Sequence, residues 1–145
     1  MFSLTHPDIS HLISLAIAPV FLLTAVGTLL GVLSNRLGRV VDRIRELDAL
    51  EPQVDAGQRA TIQSELALLT RRMRLVYIAM ASAVFCALFV GLLMVVAFVD
   101  AFVVADLWQT VGALFIAAML AFIGSLCVFL REIFIAVMST HSPMR

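Results

Sequence analysis

Arg36, Arg39 and Arg43 stand three and four residues apart, a spacing that puts three guanidinium groups on one face of a helix. Arg71, Arg72 and Arg74 make a second cluster, and Arg131 beside Glu132 a third. A guanidinium is a planar fork of donors that keeps its charge at physiological pH and matches the oxygens of phosphate or carboxylate. Brought to one level, the three groups would surround an anion or pair internally with Asn35, Asp42 and Glu132. Four readings stand side by side. The cluster is a solvated face that sets membrane orientation, a site for anionic lipid headgroups, an ion-pair ring between subunits, or a pocket for one anionic solute.

Other chemistry is sparse. His6 and His11 lie five residues apart with Asp8 between them, too far and too few for a zinc site on a helix. There is no glycine-rich phosphate loop, no paired intramembrane carboxylate and no Ser/His/Asp constellation. No metal, no cofactor and no enzymatic activity are expected. Net charge is zero, so no nucleic-acid partner is expected either. Thr24, Gly27, Thr28 and Gly31 make a second feature, a small and hydroxylated face leading to Asn35. Gly27-x-x-x-Gly31 lets another helix come close. That face either packs within the subunit, joins subunits, or lines a pore.

The elements that must carry these residues are helices in lipid. The chain has 145 residues, 62% of them hydrophobic and 14% charged, with a mean hydropathy of +1.06. A domain this small cannot bury so much apolar surface in its own core. Three uncharged runs, Leu12–Leu33, Leu75–Val99 and Leu107–Leu130, each exceed the ~20 residues that cross a hydrocarbon core. Pro19 removes one backbone hydrogen bond from the first and is expected to kink it. The N-terminal stretch Met1–His11 has no Lys or Arg, so it lacks the basic start of a signal peptide and the first helix is expected to be retained. Ala113, Ala117, Ala121 and Ser125, with Gly124 beside them, and Ala79, Ala83 and Ala87 form small-residue stripes that suit a close bundle. Cys86 and Cys127 differ in depth too much for a bridge and read as small buried apolar residues.

Orientation follows from arginine. Eight of the ten basic residues, all arginines, fall between Ser34 and Arg74, and none precedes the first run or lies in the Asp100–Asp106 connection. The positive-inside rule places the N-terminus outside and residues 34–74 and 131–145 in the cytoplasm. Trp108 and Tyr77 stand where aromatic belts belong. Within 34–74, Leu33, Leu37, Val40, Ile44 and Leu47 are spaced 4-3-4-3, and so are Ile62, Leu66, Leu69, Met73 and Val76. With a breaker-rich stretch from Glu51 to Gly57 between them, the two seams predict an antiparallel helical hairpin, a short coiled coil continuous with the first two spans. Local ion pairs are expected at Arg43–Glu46 and Arg39–Asp42. Residues 131–138 either extend the third helix or lie along the headgroups.

The stretches Ala18-Pro19-Val20-Phe21-Leu22-Leu23-Thr24, Leu33-Ser34-Asn35-Arg36-Leu37-Gly38-Arg39-Val40-Val41-Asp42-Arg43-Ile44-Arg45, Arg71-Arg72-Met73-Arg74-Leu75 and Leu130-Arg131-Glu132-Ile133 resemble a bacterial membrane family catalogued as domain of unknown function 2721. The resemblance covers about Ile13 to Ala136. It implies a small bacterial inner-membrane protein and treats residues 35–45, 71–74 and 131–132 as one unit. It implies no activity and no substrate.

The expected architecture is therefore all-α and a single membrane domain. It has spans at 12–33, 75–99 and 107–130, a cytoplasmic hairpin at 34–74 and a tail at 131–145. Three helices make a thin bundle, so a homo-oligomer or a subunit of a larger membrane complex is expected, in contact with the bilayer and its anionic headgroups. The expected role is a non-enzymatic scaffold or accessory subunit acting through the arginine-rich hairpin. The alternative is a homo-oligomeric channel or anion pathway lined by Thr24, Thr28 and Asn35.

Overall fold

The computed structural model describes residues 9–103 and 107–140, with side chains over 16–100 and 107–138. His6, Asp8, Asp106, His141 and Arg145 lie outside the described residues, and the His11 side chain lies outside the described side chains. The described chain is all helical. α1 runs from Ile9 to Leu50, a 3-10 turn covers Glu51–Gln53, α2 runs from Ala56 to Val103, and α3 from Trp108 to Thr140. All three helices are long and apolar enough to cross a membrane.

At 42, 48 and 33 residues, the helices extend about 63, 72 and 50 Å, well beyond a 30 Å hydrocarbon core. α1 and α2 pass from apolar to arginine-rich sequence without a break, because nothing between residues 33 and 50 or between 58 and 75 interrupts the helix. α1 also continues through Pro19, whose side chain is buried. The break comes at Glu51–Gln53 and Val54, which is extended at φ −113°, ψ 157°. There the Gln53 amide donates to the Ala49 carbonyl at 3.1 Å and covers one of the acceptors that a helix end leaves open. Gly57, read as part of the breaker, falls inside the first turn of α2 instead. At the opposite end, the Leu107 N–H donates to the Asp100 carboxylate at 2.8 Å, which sets an acidic group at the start of α3.

The core is organised by a seven-residue repeat. On α1 the buried line is Pro19, Val26, Leu33, Val40 and Leu47. α2 carries two such lines, Leu69, Val76, Ala83 and Val90, and Ala79, Cys86 and Leu93. α3 carries Ala118, Ser125 and Glu132. α2 is therefore the central helix and packs along both others, while α1 and α3 approach each other at few points. All ten residues of the two predicted seams are buried or half-buried, and from Val40 and Leu69 to Leu47 and Ile62 they form a small apolar cluster of their own. Packing between α1 and α2 thus runs from the apolar halves into the polar ones without a gap.

α2 and α3 meet through small side chains and exchange hydroxyl bonds. Ser82 donates to the Ala121 carbonyl and Ser125 to the Ala79 carbonyl, each at 2.7 Å. The predicted stripe at every fourth residue of α3 is only partly the contact line, since Ala113 is exposed and Ala117 half-buried. Steps of four residues advance 400° around a helix of 3.6 residues per turn, so such a stripe winds off a straight neighbour while steps of seven stay close to it. The same geometry corrects the reading of the cysteines. Both are free thiols, but only Cys86 is buried. Cys127, two residues past Ser125, is turned to the far side of α3 and is exposed.

Over the apolar runs the surface outside these lines is apolar. Phe21, Leu88, Ile116 and Leu120 are all more than 60% exposed, and only 11% of the most apolar window of α3 is buried. Lipid is the solvent that suits such a surface. Thr24, Gly27, Thr28 and Gly31 share this outward position and do not pack within the subunit. The close α2–α3 contact has a direct test. Ala79→Leu is expected to cost about 1–3 kcal/mol by overpacking. Gly27→Ala, where no atom lies within 4 Å of the added Cβ, is expected to cost nothing. Thermal unfolding in detergent, followed by circular dichroism, measures both.

Candidate functional site

Glu132 is the one buried charged residue among the described residues, with 1% of its surface exposed. It stands on the α3 line one heptad beyond Ser125, so the periodicity that buries a serine against α2 must bury a carboxylate next. Arg72 stands one heptad before Ala79 on the matching line of α2. The pair meets: Arg72 donates to one Glu132 oxygen through Nε at 3.2 Å and a terminal nitrogen at 3.0 Å. Arg36 of α1 donates to the other oxygen. One carboxylate thereby ties all three helices at a single level, and it bridges α1 to α3 where their backbones barely approach.

Arg36 has a second restraint. Its guanidinium carbon lies 5.3 Å from the ring centroid of Phe129, within cation–π range. Phe129 precedes Glu132 by three residues, so one turn of α3 offers the same arginine both a ring face and an anion. Among the described residues no buried side-chain nitrogen or oxygen lacks a hydrogen-bond partner. The arginine side chains are 28% and 22% exposed, so each reaches water past the buried carboxylate.

Two turns further from the apolar runs, Arg43 joins the two polar arms. It bonds Glu46 on its own helix at 2.8 Å and Glu65 on α2 at 3.0 Å. These bonds raise its pKa, the Glu46 bond most and the Glu65 bond next. The groups are exposed, so this strut adds little stability. The expected Arg43–Glu46 pair is present. Arg39 and Asp42 are both exposed and do not pair with each other or with another described residue.

Between the clamp and the strut lies a cleft of about 350 Å³. Arg36, Arg39, Arg43 and Arg72 line it with Glu132, and Val40, Leu69 and Ala136 complete the wall. Of the predicted cluster the structure brings these five charged residues together. Asn35, Arg71, Arg74 and Arg131 are exposed and stand outside the cleft. Arg71 and Arg74 flank Arg72 at one and two residues, so each is rotated at least 100° from the line facing α3. Among the described residues no group of three or more His, Cys, Asp or Glu side chains could hold a metal.

One partner, Glu65, and the burial of another, Glu132, are not evident from the sequence reading. Glu65 was not singled out, although it lies between the seam residues Ile62 and Leu69 and so beside the partner arm. The burial of Glu132 was also not foreseen, although the spacing 118, 121, 125, 128, 132 marks the line that carries it.

Breaking the clamp should be costly. Glu132→Ala is expected to remove about 3 kcal/mol of stability, the low end for a broken buried pair because both arginines keep access to water. Arg72→Ala is expected to cost far less in that background than alone. A double-mutant cycle by detergent-induced unfolding measures the coupling, and simple additivity would show that the groups do not act as a unit.

A family model described as Protein of unknown function (DUF2721) matches residues 16–142, which include every residue of the clamp and the cleft. No curated protein and no solved structure matches the chain.

Proposed function

The chain belongs to the DUF2721 family, whose function is unknown, and from that premise we propose that it is a non-enzymatic membrane scaffold or accessory subunit. Its working surface is the arginine-rich hairpin formed by the polar halves of α1 and α2, held at the cytoplasmic face of a bacterial inner membrane. The observation that carries this reading is the uneven pairing of the arginines. Arg36 and Arg72 share Glu132 and Arg43 takes two carboxylates, while Arg39, Arg71, Arg74 and Arg131 stand exposed around them. Exposed arginines with free donors, carried on packed helices, are what recognition of an acidic partner surface calls for. The excess of arginine on this side of the spans also supports the cytoplasmic assignment.

The test separates the exposed arginines from the clamp. Partners crosslinked in intact membranes are expected to be lost from the triple variant Arg39→Ala, Arg71→Ala, Arg74→Ala, with its thermal unfolding unchanged. An identical partner set from that variant would overturn the reading.

A second reading, the homo-oligomeric anion pathway, is favoured by the exposed face of Thr24, Gly27, Thr28 and Gly31. Nothing within the subunit covers its glycines, although both threonine hydroxyls already donate to their own helix, to the Val20 and Thr24 carbonyls. On this reading, reconstituted protein passes anions as a closed oligomer and Arg39→Glu inverts its selectivity. Absence of flux at any applied potential leaves the scaffold.

A further inference from the structure

The cleft between the clamp and the strut has the composition of an anion site, and its depth says where the anion comes from. Around it, three guanidinium groups, Arg36, Arg39 and Arg72, face one carboxylate, Glu132, which leaves two positive charges in excess. Arg43 bonds two carboxylates, Glu46 and Glu65, so the strut carries one net negative charge and the excess over clamp, cleft and strut together is one. Glu132 offers little repulsion, since it is 1% exposed and both its oxygens are engaged by arginine.

Donors remain. Glu132 takes one terminal nitrogen of Arg36, and Nε and one terminal nitrogen of Arg72. A guanidinium has three nitrogens and five N–H groups. Arg36 therefore keeps Nε and one terminal nitrogen, Arg72 keeps one terminal nitrogen, and Arg39 keeps its whole fork. Arg36 is fixed against Phe129 and Arg72 is fixed by its two bonds, so of the three arginines only Arg39 must be ordered by an incoming anion. A cleft of about 350 Å³ is near the small end of ligand sites, which begin at about 300 Å³.

The apolar runs end at Leu33, Leu75 and Leu130, two or three residues from Arg36, Arg72 and Glu132. At 1.5 Å per residue the clamp lies about 3–5 Å beyond the hydrocarbon edge. The headgroup layer is about 5–7 Å deep on each side of the core. The clamp is thus within the layer that holds lipid phosphates, and the cleft opens outward from it. The Arg39 backbone, six residues past Leu33, stands about 9 Å out, so its long side chain reaches a phosphate in that layer from just beyond it.

We propose that this cleft binds the phosphate group of an anionic phospholipid, with Arg39 and the unused donors of Arg36 and Arg72 as its ligands. The proposal deepens the reading of the arginine-rich face as the working surface and rests on it, but the two fail separately. Loss of partners is read on Arg71 and Arg74 as well as Arg39, whereas lipid retention is read on Arg39 alone.

The experiment is native mass spectrometry of the full chain released from nanodiscs of phosphatidylcholine containing a minority of phosphatidylglycerol. Wild-type protein is expected to retain phosphatidylglycerol in preference to phosphatidylcholine. Arg39→Ala, an exposed residue outside the clamp, is expected to reduce that retention about tenfold. Arg59→Ala, near the far turn, is expected to leave it unchanged. Equal retention of both lipids, or retention insensitive to Arg39→Ala, would overturn the proposal. A final arm distinguishes the source of the phosphate. Inorganic phosphate added to lipid-free protein in detergent is expected to stabilise it less than short-chain phosphatidylglycerol at the same concentration. Equal stabilisation would overturn the lipid as the source.

Discussion

A single carboxylate shared by two arginines holds this molecule in register. Burying Glu132 is expensive, because taking a charge out of water costs several kcal/mol before any partner is counted. What the pairing secures is position. The buried lines of α1, α2 and α3 repeat every seven residues and are largely apolar, so sliding one helix by a heptad would still set mostly apolar against apolar. Glu132 has no such tolerance. It is satisfied only where Arg36 and Arg72 arrive at its own level. The Ser82 and Ser125 hydroxyls fix α3 on α2 in the same register. The Arg36 contacts then tie α1 to an α3 whose backbone it barely approaches.

The contact lines cross the edge of the apolar runs without interruption. Val26 and Leu33 belong to the same column as Val40 and Leu47, and Val76 and Ala83 to the same column as Leu69. The part of the protein that suits lipid and the part that suits water are therefore one mechanical body. Displacing one polar arm relative to the other must shear the apolar core or break Arg43 from Glu65, and in either case it strains the clamp between them.

Much of this was legible from residue spacing. The three long helices follow from uncharged runs that no soluble core of this size could absorb. The α1–α2 contact follows from the 4-3-4-3 seams, all ten of whose residues are buried or half-buried. Gathering Arg36, Arg72 and Glu132 at one depth needed only the ends of the apolar runs. What spacing did not reveal was rotation. Arg71, Arg72 and Arg74 look alike as a string, yet only Arg72 lies on the line that faces α3. Asn35, Asp42 and Glu132 look like equal partners, yet only Glu132 continues a buried column. The same limit explains Cys127 and Ala113. A residue's depth is set by counting along the chain, but the neighbour it meets depends on which column of a central helix is already occupied.

Chain order gives the clamp a direction in time. α1 and α2 are made first, and their seam is complete when residue 76 has been joined to residue 33, but Arg36 and Arg72 then stand side by side with no anion between them. Their mutual repulsion opposes closure at that level and keeps both groups in water. Glu132 is made last of the three, after most of α3, and converts a repelling pair into an attracting triad. The third helix thus acts as a latch: it supplies the one anion that the first two helices lack at this level.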